Sequence, residues 1–164
     1  MYHYWQVVSD VVRDIPFAQR QWKPIRVEKF VFEDASRPAY YASVFFEGWP
    51  RNYAFTTSPK PLPTKFRVSA ELEVLGLQTD DYLLLWARNP QYIWIYDREG
   101  RKPNRQEPGR LTLAAVSDGR YSVLWRETTT GEVLSQEEVT AAGGRLVLRS
   151  PAITRSAVAR LVKR

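Results

Sequence analysis

An alternating segment near the middle of the chain places three aromatic side chains at every second position: Tyr92, Trp94 and Tyr96. In an extended strand these three share one face at about 7 Å per step, and Ile93 and Ile95 take the opposite, core-facing side. Flat aromatic rings bury large areas and stack on the apolar C–H faces of pyranose sugars. An exposed face would therefore be a platform for carbohydrate, whereas a face packed under a loop, a helix or another domain would be structural.

A fourth aromatic candidate is Trp49, which stands at the end of a predicted strand. It comes just before the proline-rich segment 50–64, which we expect to be a loop because its prolines cannot donate to a sheet. A tryptophan at a loop edge is a candidate sugar contact, although it could equally close one end of the fold. Trp125 shares one strand face with Tyr121 and Val123, and we assign all three to the core.

Residues suited to catalysis are sparse. His3 is the single histidine and lies near a terminus, which argues against a Ser-His-Asp triad or a histidine-based metal site. Glycoside hydrolysis needs two carboxyl groups across a cleft, and the close acidic pairs fall at predicted turns or strand ends, where acids are usually solvated. These pairs are Asp80-Asp81, Asp97/Glu99 and Glu137-Glu138. Glu47, beside Trp49, is the first suspect should the chain be a hydrolase.

Composition narrows the function classes further. The 164 residues include no cysteine and 13% aromatic residues, with a net charge of +6. The absence of cysteine predicts no disulfide and no thiolate metal site. We also expect no cofactor. The positive charge suits an acidic polysaccharide or nucleic acid, but the arginines are scattered among acids, so we expect no nucleic-acid partner. The arginine-rich, methionine-poor composition is also typical of heat-adapted proteins.

The sequence predicts neither a membrane span nor a signal peptide. The longest apolar run, residues 83–87, is far shorter than a bilayer requires. The first residues are amphipathic and include Asp10 and Asp14, unlike the apolar region of a signal peptide. The sequence does not indicate the cellular compartment of the protein.

The periodicity predicts one helix followed by strands. Trp5, Val8 and Val12, widened by Val7 and Val11, give a helical stripe over residues 2–14 that ends before Pro16. Period-2 patterns and turn signals then predict an antiparallel β-sandwich, jelly-roll or immunoglobulin-like, of nine or ten strands. The predicted strands are 25–32, 40–46, 65–74, 82–88, 92–97, 111–116, 121–127, 133–139, 146–149 and 157–162, with 82–88 and 92–97 paired through a tight turn.

The last third of the chain has a specific order of strands and turns. Gly119–Glu127 is followed by the turn Thr128–Glu132, a strand and then Gly143–Leu148. This order resembles the C-terminal β-sandwich that follows the catalytic barrel in glycoside hydrolases of the clan-A, family-5-like type. Tyr82–Asn89, leading to Trp94, resembles a strand pair of the same accessory domains. The resemblance covers about residues 72–162 and carries no catalytic signature.

The first helix extends this resemblance. Tyr4–Phe17 is similar to the last helix and exit segment of a glycosidase (β/α)8 barrel. The resemblance implies a barrel-derived segment over residues 1–23 and a sandwich over residues 24–164. It also implies that the catalytic acids belong to the barrel, so we expect this chain not to be an enzyme by itself.

The leading hypothesis is therefore a non-catalytic accessory domain that braces a catalytic (β/α)8 domain, binds polysaccharide through aromatic side chains, or does both. One alternative is a structural or protein-interaction sandwich, with possible homo-oligomerisation through the aromatic N-terminal helix. A basic nucleic-acid binder and a small hydrolase are further alternatives.

Overall fold

The computed structural model describes residues 2–33, 72–89, 92 and 105–164, and the statements below concern these residues. The predicted strand 40–46 lies outside them. The elements are α1 (Tyr2–Val12), a short 3-10 helix (Phe17–Gln19), β1 (Lys23–Pro24), β2 (Arg26–Phe32), β3 (Glu73–Gln78), β4 (Tyr82–Arg88), β5 (Gly109–Ala114), β6 (Gly119–Glu127), β7 (Val133–Ala141), β8 (Arg145–Ser150) and β9 (Ser156–Lys163).

The nine strands form two antiparallel sheets. One sheet has six strands in the order β1-β3-β4-β9-β6-β7, and the other has three in the order β2-β5-β8. Their inner faces enclose one apolar core to which both sheets contribute. The predicted all-β antiparallel sandwich with a single N-terminal helix is therefore confirmed for the described part of the chain.

Strict alternation along the central strands builds this core. In β4 the residues Leu83, Leu85 and Ala87 are buried, while the residues between them are half-buried on the outer face. The core positions predicted in β6 are confirmed, because Tyr121 and Trp125 are fully buried. Since strand side chains alternate with period 2, β4 and β6 each turn one whole face towards the core.

Tight turns connect the strands where glycine permits positive φ. Gly143 and Gly144 have φ of 60° and 74°, and the backbones of Ala142 and Arg145 exchange two hydrogen bonds across them. Asp118 accepts both glycine N–H groups, at 3.1 and 2.8 Å. The strands on the two sides of this turn belong to different sheets, β7 to the six-stranded sheet and β8 to the three-stranded one. The tight turn therefore carries the chain from one sheet to the other.

The N-terminal helix lies against the outer face of the six-stranded sheet. It ends at Val12, two residues before the predicted end, and Val11 and Ile15 are buried. Arg160 of β9 donates from Nη1 to the Val11 carbonyl oxygen at 3.4 Å. At least part of the predicted apolar stripe therefore packs within the chain. The side chain of Trp5 lies outside the part that the structure describes.

Two predicted details of the six-stranded sheet are wrong. The predicted strand 65–74 is described only from residue 72, and β3 continues to Gln78 because it pairs with β4 along its whole length. The predicted pairing of 82–88 with 92–97 fails because β3 and β9 already occupy the two edges of β4. Residues 93–97 lie outside the described residues.

Tyr121 gives the first testable consequence of this core. Its hydroxyl donates to the Ser117 carbonyl oxygen at 2.7 Å, and burial, followed by the nearby Asp81 charge, raises the pKa of its phenol. The stability gained from a raised pKa is present below the unfolded value of about 10 and is lost as pH rises through the folded value. We expect Tyr121→Phe to lose about 1 kcal/mol at pH 7, and the deficit to shrink above pH ~10.

Urea denaturation at pH 7 and at alkaline pH measures both effects, with Tyr82→Phe as the matched control. Tyr82 is only half-buried, and we expect its variant to follow wild type at both pH values. A Tyr121→Phe deficit that grows in alkali would contradict the assignment.

Candidate functional site

Of the four predicted aromatic contacts, Tyr92 alone belongs to the described residues. Trp49, Trp94 and Tyr96 lie outside them. Tyr92 is half-buried just after β4, where its N–H donates to the Asn89 carbonyl oxygen at 3.0 Å. The guanidinium of Arg155 lies 5.3 Å from the centre of its ring, within the range of a cation–π contact. One ring face therefore meets a cation, and the aromatic platform stays a prediction.

Asn89 holds this corner of the sandwich together. It is fully buried, and its side-chain amide donates to the Thr154 carbonyl oxygen at 2.9 Å and to that of Ile153 at 3.5 Å. Its own N–H donates to the Arg155 carbonyl oxygen at 2.9 Å. The end of β4 is thereby tied to the turn that precedes β9, which also fixes the backbone next to Tyr92.

The outer face of the three-stranded sheet forms an open groove with a volume of about 640 Å³. We define the groove by its lining residues: Glu28, Lys29, Val31, Arg110, Thr112, Arg145 and Val147. The antiparallel register explains why they meet, since Lys29, Thr112 and Val147 form one cross-strand row and Val31 and Arg110 form part of the next. A β-bulge after Val27 shifts the register of β2.

The groove combines apolar surface with polar groups. Val147 is 51% exposed and Val31 is 41% exposed, so both present methyl groups to solvent on opposite sides of β5. Thr112 lies between them at the groove floor and is buried. A ligand seated here would meet apolar surface at the two sides and charged groups around it.

Two of the cations at this face are held by acids. Arg145 donates from Nε to Glu28 at 3.2 Å. Arg149, next to Arg110 on the adjacent strand, makes a two-pronged contact with Glu33, in which Nη2 lies 2.9 Å from Oε2. This hydrogen bond is the main reason why the pKa of Glu33 lies below its ordinary value and that of Arg149 lies above its own.

Lys29 and Arg110 differ from these paired cations. Both are exposed, and within the described part of the chain neither makes an ion pair with an acid. The groove lining and the adjoining Arg149–Glu33 pair together contain four cations and two acids, Glu28 and Glu33. The groove and its rim therefore carry a surplus of two positive charges.

A second, smaller cavity of about 410 Å³ lies at the β3–β4 turn. Its acids are already engaged, since Arg20 donates to Asp81 at 2.6 Å and Ser117 donates to Asp80 at 3.3 Å. Thr79 accepts from the Tyr82 N–H at 3.1 Å and closes the turn. Asp80 and Asp81 therefore have the contacts of residues in a structural turn.

Other acidic pairs do not form a catalytic arrangement where the structure describes them. Glu137 and Glu138 are neighbours on β7, so their side chains leave opposite faces of the sheet. One oxygen of Glu137 is buried without a hydrogen-bond partner. Glu47, Asp97 and Glu99 lie outside the described residues. Among the residues described, no three potential metal ligands lie together, and no helix is long and apolar enough to cross a membrane.

Comparison with known proteins gives little further information about the family or function of the chain. No protein-family model matches the chain, and no curated protein matches it. A solved structure titled "Glycoside hydrolase" is similar to 55% of this chain with 13% sequence identity and a TM-score of 0.31. This chain spans 17% of that chain's length. A likeness of this size carries no argument.

Sequence reasoning missed the groove although a local signal was present. The alternation of Arg145, Val147 and Arg149 with Leu146 and Leu148 marks one outward face of β8. The corresponding face of β5 carries Arg110 and Thr112. The sequence alone does not show that β5 lies between β2 and β8, because those pairings join residues far apart in the chain.

Proposed function

We propose that this chain is a non-catalytic β-sandwich that accompanies a glycoside hydrolase and binds polysaccharide in the groove of its three-stranded sheet. The observation that carries the proposal is the open groove itself, with exposed valines beside polar groups. The order of strands and turns over residues 119–148, which resembles glycoside hydrolase accessory sandwiches, supplies the link to an enzyme.

The composition of the groove suits a sugar polymer. Pyranose rings have apolar C–H faces that can pack on Val31 and Val147, and hydroxyl groups that can bond to the surrounding charged side chains. The volume of about 640 Å³ falls within the usual range of ligand sites. Because the groove is an open sheet face, it can take an internal stretch of a polymer.

The charge state of the groove supports a role without catalysis. A glycosidase needs a general acid, which is a carboxyl group with a raised pKa. Glu33 has the opposite shift, because Arg149 stabilises its charged form. Glu33 is therefore better suited to orienting Arg149 than to delivering a proton. Glu28 forms an ion pair with Arg145 at 3.2 Å.

In this proposal, the outer face of the six-stranded sheet is the surface that braces a catalytic domain. Leu75, at 64% exposed, and Leu77, at 40% exposed, stand on the outer face of β3. The half-buried Leu84 and Trp86 of β4 stand beside them in register. This apolar strip lies on the same side of the sandwich as α1, the segment that resembles the end of a barrel.

The test of polysaccharide binding replaces an apolar group in the groove. We expect Val147→Ser to weaken binding about fivefold, equal to about 1 kcal/mol, because it removes part of a valine contact area. Val133→Ser is the matched control, since Val133 is also on a strand and is 47% exposed outside the groove. Isothermal titration of both variants with soluble β-glucan, mannan, xylan and polygalacturonate measures the effect.

The control should bind as wild type does. Equal loss in both variants, or no binding of any polysaccharide by wild type, would contradict the proposed function. The separate prediction that Trp94 contributes to an aromatic platform is tested in the same titrations by Trp94→Ala.

A further inference from the structure

We infer that the polysaccharide recognised by the groove carries carboxylate groups, as a polyuronate does. This inference rests on the proposed function and makes it more specific. The observation behind it is the pair Lys29 and Arg110, two cations that line the groove and form no ion pair with an acid among the described residues. Neutral glycans offer no charge to these groups.

The register places these cations where an anionic chain could meet both. Lys29 stands opposite Thr112, and Arg110 stands opposite Val31, so the two cations occupy neighbouring rows on adjacent strands. Residues directly opposite each other in a sheet lie about 5 Å apart, and diagonal neighbours about 7–8 Å. A polymer crossing the sheet diagonally would therefore present successive groups to both cations.

The groove also has an unfavourable charge arrangement that an anion would relieve. Arg110 on β5 stands directly opposite Arg149 on β8, and like charges in this position destabilise a sheet. Glu33 forms a direct ion pair with Arg149 and interacts with Arg110 only through a longer-range electrostatic attraction. A carboxylate beside Arg110 would give this cation a direct ion pair.

The pattern favours a carboxylated glycan over a nucleic acid. Single-stranded nucleic acid is usually held by aromatic stacking as well as by cations. The described residues that line the groove include two valines and no aromatic residue. A polyuronate needs no aromatic stacking here, because its apolar ring faces can pack on Val31 and Val147.

The experiment compares two doubly substituted chains of equal charge. Lys29→Gln/Arg110→Gln removes the free cations of the groove, and Lys23→Gln/Arg120→Gln removes one lysine and one arginine that are exposed outside it. Titrations use polygalacturonate, neutral β-glucan and a single-stranded DNA oligomer at two salt concentrations. Circular dichroism verifies that each variant is folded.

We expect the groove variant to lose at least tenfold in affinity for polygalacturonate, while the control stays within about threefold of wild type. Equal losses in the two variants would overturn the inference. Groove-dependent binding of neutral glucan with no preference for polygalacturonate would also overturn it, but would leave the proposed function standing. Absence of binding to every glycan would remove both. Tighter, salt-sensitive binding of DNA through the same cations would replace the inference with nucleic-acid recognition.

Discussion

Replacing Trp125 by alanine is expected to lower the free energy of unfolding by about 3–5 kcal/mol, the usual cost of removing a large buried aromatic side chain. Trp125 is fully buried. Its neighbours in register are small, Ala159 on β9 and Ser135 on β7. They cannot fill the space that the indole leaves, so a cavity would remain between the sheets.

Urea denaturation followed by circular dichroism measures this loss without depending on tryptophan fluorescence. Trp22→Ala is the control, because Trp22 is half-buried outside the core, stacked on Phe17 at 4.5 Å between ring centres. We expect it to cost clearly less. If Trp125→Ala cost no more than Trp22→Ala, the position of the core between the two sheets would be wrong.

The second large effect is expected at Asn89. Asn89→Ala removes the donors that serve the Thr154 and Ile153 carbonyl oxygens in a buried corner. A buried polar group left without a partner costs about 1–3 kcal/mol, so we expect a total loss of about 2–3 kcal/mol. The turn before β9 should loosen as well, and with it the contact between Arg155 and Tyr92.

Thermal and urea denaturation report the stability loss, and limited proteolysis reports the loosening of the turn. Gln136→Ala, which removes an exposed amide on β7, should leave both unchanged. If Asn89→Ala were as stable as Gln136→Ala, the buried amide would not be the tie between β4 and the turn.

Local patterns predicted much of the fold because their physical causes are local. The alternation of Tyr121, Val123 and Trp125 indicated an inward face whatever strand lies next to it, and Gly131 was expected in a turn because it can take positive φ, observed at 76°. The helix was likewise predicted from its apolar spacing and from Pro16. These signals need no knowledge of the rest of the chain.

Predictions that required long-range pairing were weaker. Proximity in sequence suggested that the segment after β4 would pair with it, but β9, which begins at Ser156, takes that edge. Leu75 and Leu77 were not predicted to face outward, because their orientation follows from the register of β3 with β4. The groove was not predicted for the same reason, because its lining residues come together only through the pairing of β5 with β2 and β8.

The most direct test of the central claim is hydrogen–deuterium exchange of the whole chain with and without saturating polysaccharide. Neutral β-glucan and polygalacturonate oligosaccharides serve as the two probes. If the groove binds the polymer, amide exchange should slow in β2, β5 and β8, with little change in β3 or β7. Protection confined to the six-stranded sheet, or unchanged exchange in all three groove strands under a ligand that demonstrably binds, would contradict the account.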